Sequence, residues 1–482
     1  MKECSLIKED LKVDGRLHYE KDDLERKKKM SAEKIVIVGA NHAGLAVARN
    51  LIDSGKNFEI TMIDKSDDLG YLSCGTPLLL GNEINSYRNF FYIKNDELRE
   101  QIAALHTKAQ VESIDFRNKK VIFRDKQGLQ GVKYDKLVLA TGASQVSLGI
   151  SGNDLRGIYR IKNLNEGLEV NQRLDLRNVK NVAIIGGGYI GVEVAEAIQK
   201  RGKHVTIYDA NSHLMSAHYD EKFGHLVEER LREKGIDLCL AEEVQSYVGK
   251  GGKITQIITD HGKYLTDMVI LTMGFLPNTL LGRFHLELYT NGAYIVNEYQ
   301  QTSDPDVYAV GDCSTSYSNI LKELVVNFSV SDAMRGAYVA AKNIAGETIP
   351  SNGTQTSNAV QVFGLNLFST GITAAQAERY NIPCEYVDYE TWQRPKFMLE
   401  NNRIKLRLVY HKQTHRLLGA QIATESDQAG TLHMLSLAIQ KEVTIDELRV
   451  SDFFFYPYFN QPENFVLEAT RKMKKESGES DD

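Results

Sequence analysis

Two short apolar runs in this chain end in glycine-rich loops, and each loop opens a helix. The first, Ile35-Val36-Ile37-Val38, leads into Gly39-Ala40-Asn41-His42-Ala43-Gly44, then into Leu45 to Ala48, Leu51 and Ile52 at helical spacing. A continuous apolar run of that length reads as a buried parallel strand covered on both faces. The second, Val182-Ala183-Ile184-Ile185, leads into Gly186-x-Gly188-x-x-Gly191 and a helix predicted from Val192 to about Arg201. Each unit then returns to another apolar strand, Phe58 to Ile63 and Val205 to Tyr208, ending in Asp64 and Asp209 respectively. Two copies of one βαβ unit imply two Rossmann-like nucleotide-binding domains in an α/β chain.

The loop residues carry a specific chemistry. A dinucleotide pyrophosphate is well placed at a helix N-terminus, where free N–H groups and the positive dipole end converge, and glycines let it approach the backbone. The second loop has the full glycine pattern in the strand–turn–helix context it requires. Asp209 then sits where a carboxylate can accept both adenosine ribose hydroxyls, and with no arginine beside it the site suits NADH over NADPH. In the first loop Asn41 replaces the central glycine, but the matching Asp64 makes the pair of loops specific.

Composition narrows the remaining choices. With 42 % hydrophobic and 25 % charged residues and a net charge of −6, the 482-residue chain is neither disordered nor a bulk nucleic-acid binder. No run of roughly 18 apolar residues is present, and charge from Lys2 onward leaves no apolar core for a signal peptide, so a cytoplasmic location is expected. The five cysteines, Cys4, Cys74, Cys239, Cys313 and Cys384, are scattered and form no Cys-x-x-Cys pair. Neither a disulfide framework nor a metal site is expected, so any cysteine chemistry rests on single thiols.

The domain reading follows these signals. Residues 1–30, densely charged with no core-forming period, are expected to be a disordered extension. Residues 31–150 with 278–348 form the first nucleotide domain, 151–277 the second, 349–470 a C-terminal α+β domain, and 471–482 a tail. Strands are expected over Val307 to Val310, Lys405 to Val409 and Leu417 to Ile422, with helices over Ser331 to Ala345 and Leu432 to Gln440.

From Lys34 to about Ala469 the sequence resembles the flavin-dependent pyridine nucleotide–disulfide oxidoreductases, in particular their single-cysteine branch of NADH oxidases, NADH peroxidases and coenzyme A–disulfide reductases. Five markers carry the resemblance. They are Gly39-x-x-His42-x-Gly44, Ser73-Cys74-Gly75, Tyr134-Asp135-x-Leu137-Val138-x-Ala140-Thr141-Gly142, the second glycine loop with Glu193, and Thr302-Ser303-x-Pro305-x-Val307-Tyr308-Ala309-x-Gly311-Asp312. The resemblance implies FAD on the first loop, with Asp64 at its ribose and Asp312 at the ribityl chain or pyrophosphate. It implies NADH on the second loop, Tyr189 covering the flavin, Glu193 near the nicotinamide, and a C-terminal dimerisation domain in a homodimer.

Cys74 also has a physical case. It precedes Pro77 and an apolar run that reads as a helix, and a thiol at a helix N-terminus is expected to have a depressed pKa. The dithiol members of the family carry a second cysteine five residues on, where this chain has Leu79. The oxidised form would then be a sulfenic acid or a mixed disulfide. Cys313 follows Asp312, with packing its expected role.

His42 is able to exchange a proton near neutral pH and resembles the histidine of the oxidase and peroxidase branches. In the tail segment Asp452 to Asn460, aligning Pro457 with the family proline puts Phe455 where coenzyme A–disulfide reductases carry a tyrosine; a one-residue shift would bring in Tyr456. The expected activity is a four-electron NADH oxidase with Cys74 and His42 catalytic. The alternatives are an NADH peroxidase, a coenzyme A–disulfide reductase and a non-enzymatic flavoprotein redox sensor.

Overall fold

The computed structural model describes residues 32–473 apart from Asp68, Asn85 and 92–94. The extension expected over residues 1–30, and the part of the tail beyond Met473, lie outside the described residues.

The first apolar run, Glu33–Val38, is the centre of a five-stranded parallel sheet in the order 307–309, 136–139, 33–38, 58–63, 104–106. Its continuous hydrophobicity follows from cover on both faces. Ile35 and Ile37 pack with Val47, Leu51, Ala337 and Ala341, beneath the helices His42–Asp53 and Val330–Ile344. Val36 and Val38 pack with Val111, Val121 and Phe123 of a three-stranded antiparallel sheet, Gln110–Asp115, Lys120–Asp125 and Gly128–Lys133. Ile35 and Ile37 are both fully buried; each such side chain contributes about 1.5–3 kcal/mol.

The second unit repeats this plan. Its parallel sheet runs in the order 237–240, 204–209, 181–185, 268–271, 158–159. Val182 and Ile184 face one core with Val194 and Ile198, while Ala183 and Ile185 face another with Tyr247 and Ile257. The second core is closed by an antiparallel meander, Val244–Lys250, Lys253–Thr259 and Lys263–Leu265. Gly251 and Gly252 link its first two strands with φ of +60° and +72°, the two positive values a type I′ hairpin demands.

The C-terminal part is a five-stranded antiparallel sheet in the order 358–362, 365–371, 417–424, 403–411, 384–392. Helices Ala429–Gln440, Ile445–Arg449 and Phe465–Arg471 complete its core. A buried ion pair ties it to the second unit: Arg407 Nη1 lies 3.1 Å from Asp220 Oδ2. Asp220 also accepts hydrogen bonds from the N–H groups of Ala374 and Ala375 and from Gln421 Nε2.

Candidate active site

The two glycine loops are built alike. Gly39 and Gly186 take φ of +104° and +108°, and a Cβ on either would collide with a neighbouring backbone, at Ala140 and at Thr272. Gly44 and Gly191 bring the helices onto these loops, and a Cβ on either would strike the carbonyl of Gly39 or Gly186. Asn41 and Gly188 are the equivalent N-caps, both extended, with φ of −105° and −72°. The cap position therefore needs no glycine for its dihedral angles, and Asn41 is accommodated in the first loop.

The closing aspartates reproduce each other's contacts. Asp64 Oδ2 accepts a 2.6 Å hydrogen bond from Ala40 N–H, and Asp209 Oδ2 accepts one of 2.6 Å from Gly187 N–H. The second oxygen of each accepts from the backbone two residues on, Ser66 at 2.7 Å and Asn211 at 2.8 Å. Each carboxylate is thereby fixed beside its loop and presented to the same cavity.

That cavity has a volume of about 1660 Å³, above the ~300–1,000 Å³ of a site for one small molecule. Of the residues singled out from the sequence, it is lined by Gly39, Asn41, His42, Asp64, Cys74, Thr141, Gly142, Gly186, Gly188, Tyr189, Glu193, Asp209, Gly311 and Asp312. Gly44 and Gly191 stand behind the lining, in the helix–strand contacts. Gly142 and Gly188 have open space where a side chain would stand, so the cradle accepts a ligand against bare backbone on both sides. These features fit two dinucleotides. Thr141 Oγ1 donates to Asn278 O and Asn278 Nδ2 donates to Thr141 O, which fixes the Thr141-Gly142 turn.

Cys74 sits in the 3₁₀ turn Ser73–Gly75 and opens toward the cavity. The turn is rigidly held. Thr76 Oγ1 donates to Ser73 O, the Tyr71 and Thr76 hydroxyls are 2.7 Å apart, and the Phe90 ring lies where any side chain on Gly75 would go. Leu79, in the position of a second cysteine, is buried with Tyr71 and Phe90. Cys313 is fully buried, its thiol donating to the carbonyls of Leu139 and Val310.

One expectation is corrected. The Cys74 thiol is raised, not lowered: its enclosure by the cavity is the largest cause, and Glu193 and Asp312 add to it, against a backbone hydrogen bond and Lys162. The helix after the thiol, Thr76–Leu80, has only five residues, and Cys74 precedes it instead of capping it.

Other groups respond to the same enclosure. Burial pushes Glu193 up to about 7, with Glu196 contributing, and Tyr189 up to about 12. His42, the first residue of its helix, is lowered by burial and by Lys162, while Asp312 opposes the change. The Tyr189 ring lies 5.9 Å from the imidazole of His218, which burial also lowers. Among the cavity residues not legible from the sequence are His218 and Lys162. Lys162 pairs with Asp312 at 3.0 Å, a partner 150 residues away in sequence that no local pattern announces.

Among the described residues no group of three or more His, Cys, Asp or Glu is placed to hold a metal, and no helix is long and apolar enough to cross a membrane. The tail segment forms an exposed aromatic finger. Tyr456 and Tyr458 stack at 5.8 Å, Phe454 meets Phe459 edge-on, and Asn460 Nδ2 closes the turn onto Phe454 O.

Two nucleotide loops facing one cavity with a single thiol define a pyridine nucleotide oxidoreductase. The chain belongs to the pyridine nucleotide-disulphide oxidoreductase family: the family's model matches residues 33–342 and its dimerisation domain matches 358–465. A protein named NADH oxidase from Lactococcus lactis subsp. cremoris is 40 % identical over 445 residues, 92 % of this chain and 100 % of the relative. Another NADH oxidase, from Streptococcus pyogenes, is 37 % identical over 90 % of this chain and 98 % of the relative. Among solved structures, the water-forming NADH oxidase of Lactobacillus brevis bound to NADH superposes with a TM-score of 0.88 at 31 % identity, covering 91 % of this chain and 98 % of that one.

Proposed function

We propose that the protein is an FAD-dependent NADH oxidase that reduces O₂ to water by four electrons, with Cys74 cycling between thiolate and sulfenic acid. The observation that carries this reading is the single thiol in the cavity. With Leu79 in place of a second cysteine, an oxidised Cys74 has no second thiol beside it among the described residues of the cavity and is suited to accept oxygen from a peroxide.

FAD would be held by the first loop, Asp64, Thr141-Gly142 and Gly311-Asp312, and NADH by the second loop and Asp209. The flavin, when bound, supplies the route by which electron pairs leave NADH and reach oxygen. Tyr189, which lines the cavity, would cover that route, and Glu193 would line the nicotinamide side. The Cys74 thiolate attacks the distal oxygen of hydrogen peroxide. The O–O bond breaks, sulfur is oxidised to the sulfenic acid, and hydroxide leaves as water with a proton delivered by His42. The electron pair of a second NADH reduces the sulfenic acid to thiolate and a second water. His42 lines the same cavity as Cys74 and is the group that passes this proton, which it regains from solvent for the next turnover.

The domain division 31–150 with 278–348, 151–277 and 349–470 belongs to the same reading, as do a cytoplasmic location and a homodimer. The dimerisation-domain match and the exposed finger carrying Phe454 and Tyr458 support the dimer. The test is stoichiometric: NADH consumed per O₂, with H₂O₂ assayed in parallel. Two NADH per O₂ without peroxide is expected; one NADH per O₂ with peroxide, or no O₂ uptake, would contradict the reading.

A further inference from the structure

Lys162 occupies an unusual place. It lies between the strand Ile158–Tyr159 and the helix Leu164–Leu174, and its backbone is pinned by a 2.8 Å hydrogen bond from its N–H to Glu166 Oε2. The preceding Ile161 N–H donates to Gln145 Oε1. From this fixed base the side chain crosses the cavity wall. Its Nζ lies 3.0 Å from Asp312 Oδ2 and 4.2 Å from the centroid of the Phe275 ring, and Phe275 is in turn backed by Phe328 at 5.7 Å. A carboxylate on one side and an aromatic face on another hold the ammonium in one place.

The groups around it are mostly acidic or neutral. Cys74 is faced by Glu193 and Tyr189 from the helix Tyr189–Gln199, by Asp312 from the turn Gly311–Cys313, and by Tyr71 from its own segment. His42 lines the same cavity. Lys162 lines the same cavity as Cys74 and His42, and the turn that carries its partner Asp312 packs at Gly311 against Ala43, the residue after His42. Without it, the carboxylates Glu193 and Asp312 would act on a thiolate here without this opposing charge.

We propose that Lys162 is a positioning residue for the thiol chemistry: clamped between Asp312 and Phe275, its ammonium places a fixed positive charge at the Cys74–His42 end of the cavity and favours the ionised sulfur. The inference deepens the single-thiol reading and rests on it.

The experiment is a pH titration of Cys74 alkylation by iodoacetamide in the NADH-reduced holoenzyme, with the modified peptide identified by mass. In Lys162→Met the midpoint should move to higher pH, and the rate at pH 7 should fall by about threefold to tenfold, the effect of losing a nearby opposite charge. Lys162→Arg should restore the wild-type profile, because the charge and not the shape is what acts. Glu193→Gln should move the midpoint the other way. An unmoved midpoint in Lys162→Met, or an arginine variant that behaves like the methionine one, overturns the proposal. So does loss of flavin from both Lys162→Met and Lys162→Gln, since Lys162 would then serve cofactor retention. The titration reads Cys74 directly and is independent of what the enzyme makes from O₂, so its failure is distinct from failure of the oxidase reading.

Discussion

Asp209 accepts a 2.6 Å hydrogen bond from the N–H of Gly187, which ties the end of one strand to the glycine turn at the end of its neighbour. A Cβ on Gly187 would stand 3.0 Å from the same carboxylate oxygen, so the glycine and the acid fit as a pair. Asp64 and Ala40 make the equivalent bond in the first loop. The carboxylates thus order the loops, and in the proposed reading each also takes a ribose.

Replacing Asp209 with asparagine is therefore expected to weaken NADH binding with little change in turnover. A hydrogen bond to a charged group is worth about 1.5–3 kcal/mol, which corresponds to a KM for NADH raised roughly 10- to 100-fold with kcat nearly unchanged. Steady-state kinetics on purified protein read this directly, and an unchanged KM would count against the assignment of the second loop.

The helix-facing glycines separate the two cofactors. Gly44→Ala drives a methyl into the Gly39 carbonyl and is expected to yield protein without flavin absorbance. Gly191→Ala does the same at Gly186; it should keep the flavin but lose reduction by NADH. Absorbance spectra before and after NADH addition distinguish the outcomes.

Glu193 makes stability depend on pH. Its folded pKa is raised from 4.5 to about 7, so the folded state holds the proton more tightly than the unfolded chain between these values. Stability from this group is full below pH 4.5 and is lost as pH rises to about 7. Glu193→Gln should accordingly be more stable than wild type at pH 8, by at most about 3 kcal/mol, with the difference shrinking toward pH 5. Thermal melts of both proteins across this range measure it.

The link between the second unit and the C-terminal sheet is testable through Arg407. Both Arg407 and Asp220 are buried, and removing one member of a buried pair leaves the other uncompensated. Arg407→Met is expected to destabilise the protein by about 3 kcal/mol in urea unfolding, with the remaining donors to Asp220 limiting the loss.

How far the sequence reached can be judged from particular residues. The strands around Ile35 and Ile184 were legible because a sheet covered on both faces is written as an unbroken apolar run. The helix of the second loop starts at Tyr189, three residues before the predicted Val192, because the cap at Gly188 has no side-chain signal. The antiparallel meanders escaped notice: Val111, Phe123, Tyr247 and Ile257 are buried, but apolar residues that are less buried, Ile122, Val248 and Ile258, stand beside three of them and blur the alternation, even though the Gly251-Gly252 turn marks one of the meanders. At the site, His42, Cys74 and the two aspartates were recognisable because each lies inside a local motif. Lys162 was not, since its meaning comes from Asp312 in a distant strand–turn. The direction of the Cys74 shift was misread for a related reason: the sequence displayed the adjoining helix but not the burial and carboxylates that outweigh it.

In the proposed cycle Cys74 consumes peroxide before it escapes. The most direct measurement is the product of the Cys74→Ser enzyme, with NADH and O₂ consumption followed alongside an H₂O₂ assay. Serine cannot form a sulfenic acid, so this variant is predicted to consume one NADH per O₂ and to release H₂O₂ where the wild type forms water. A Cys74→Ser enzyme that still consumes two NADH per O₂ and makes only water would contradict the account.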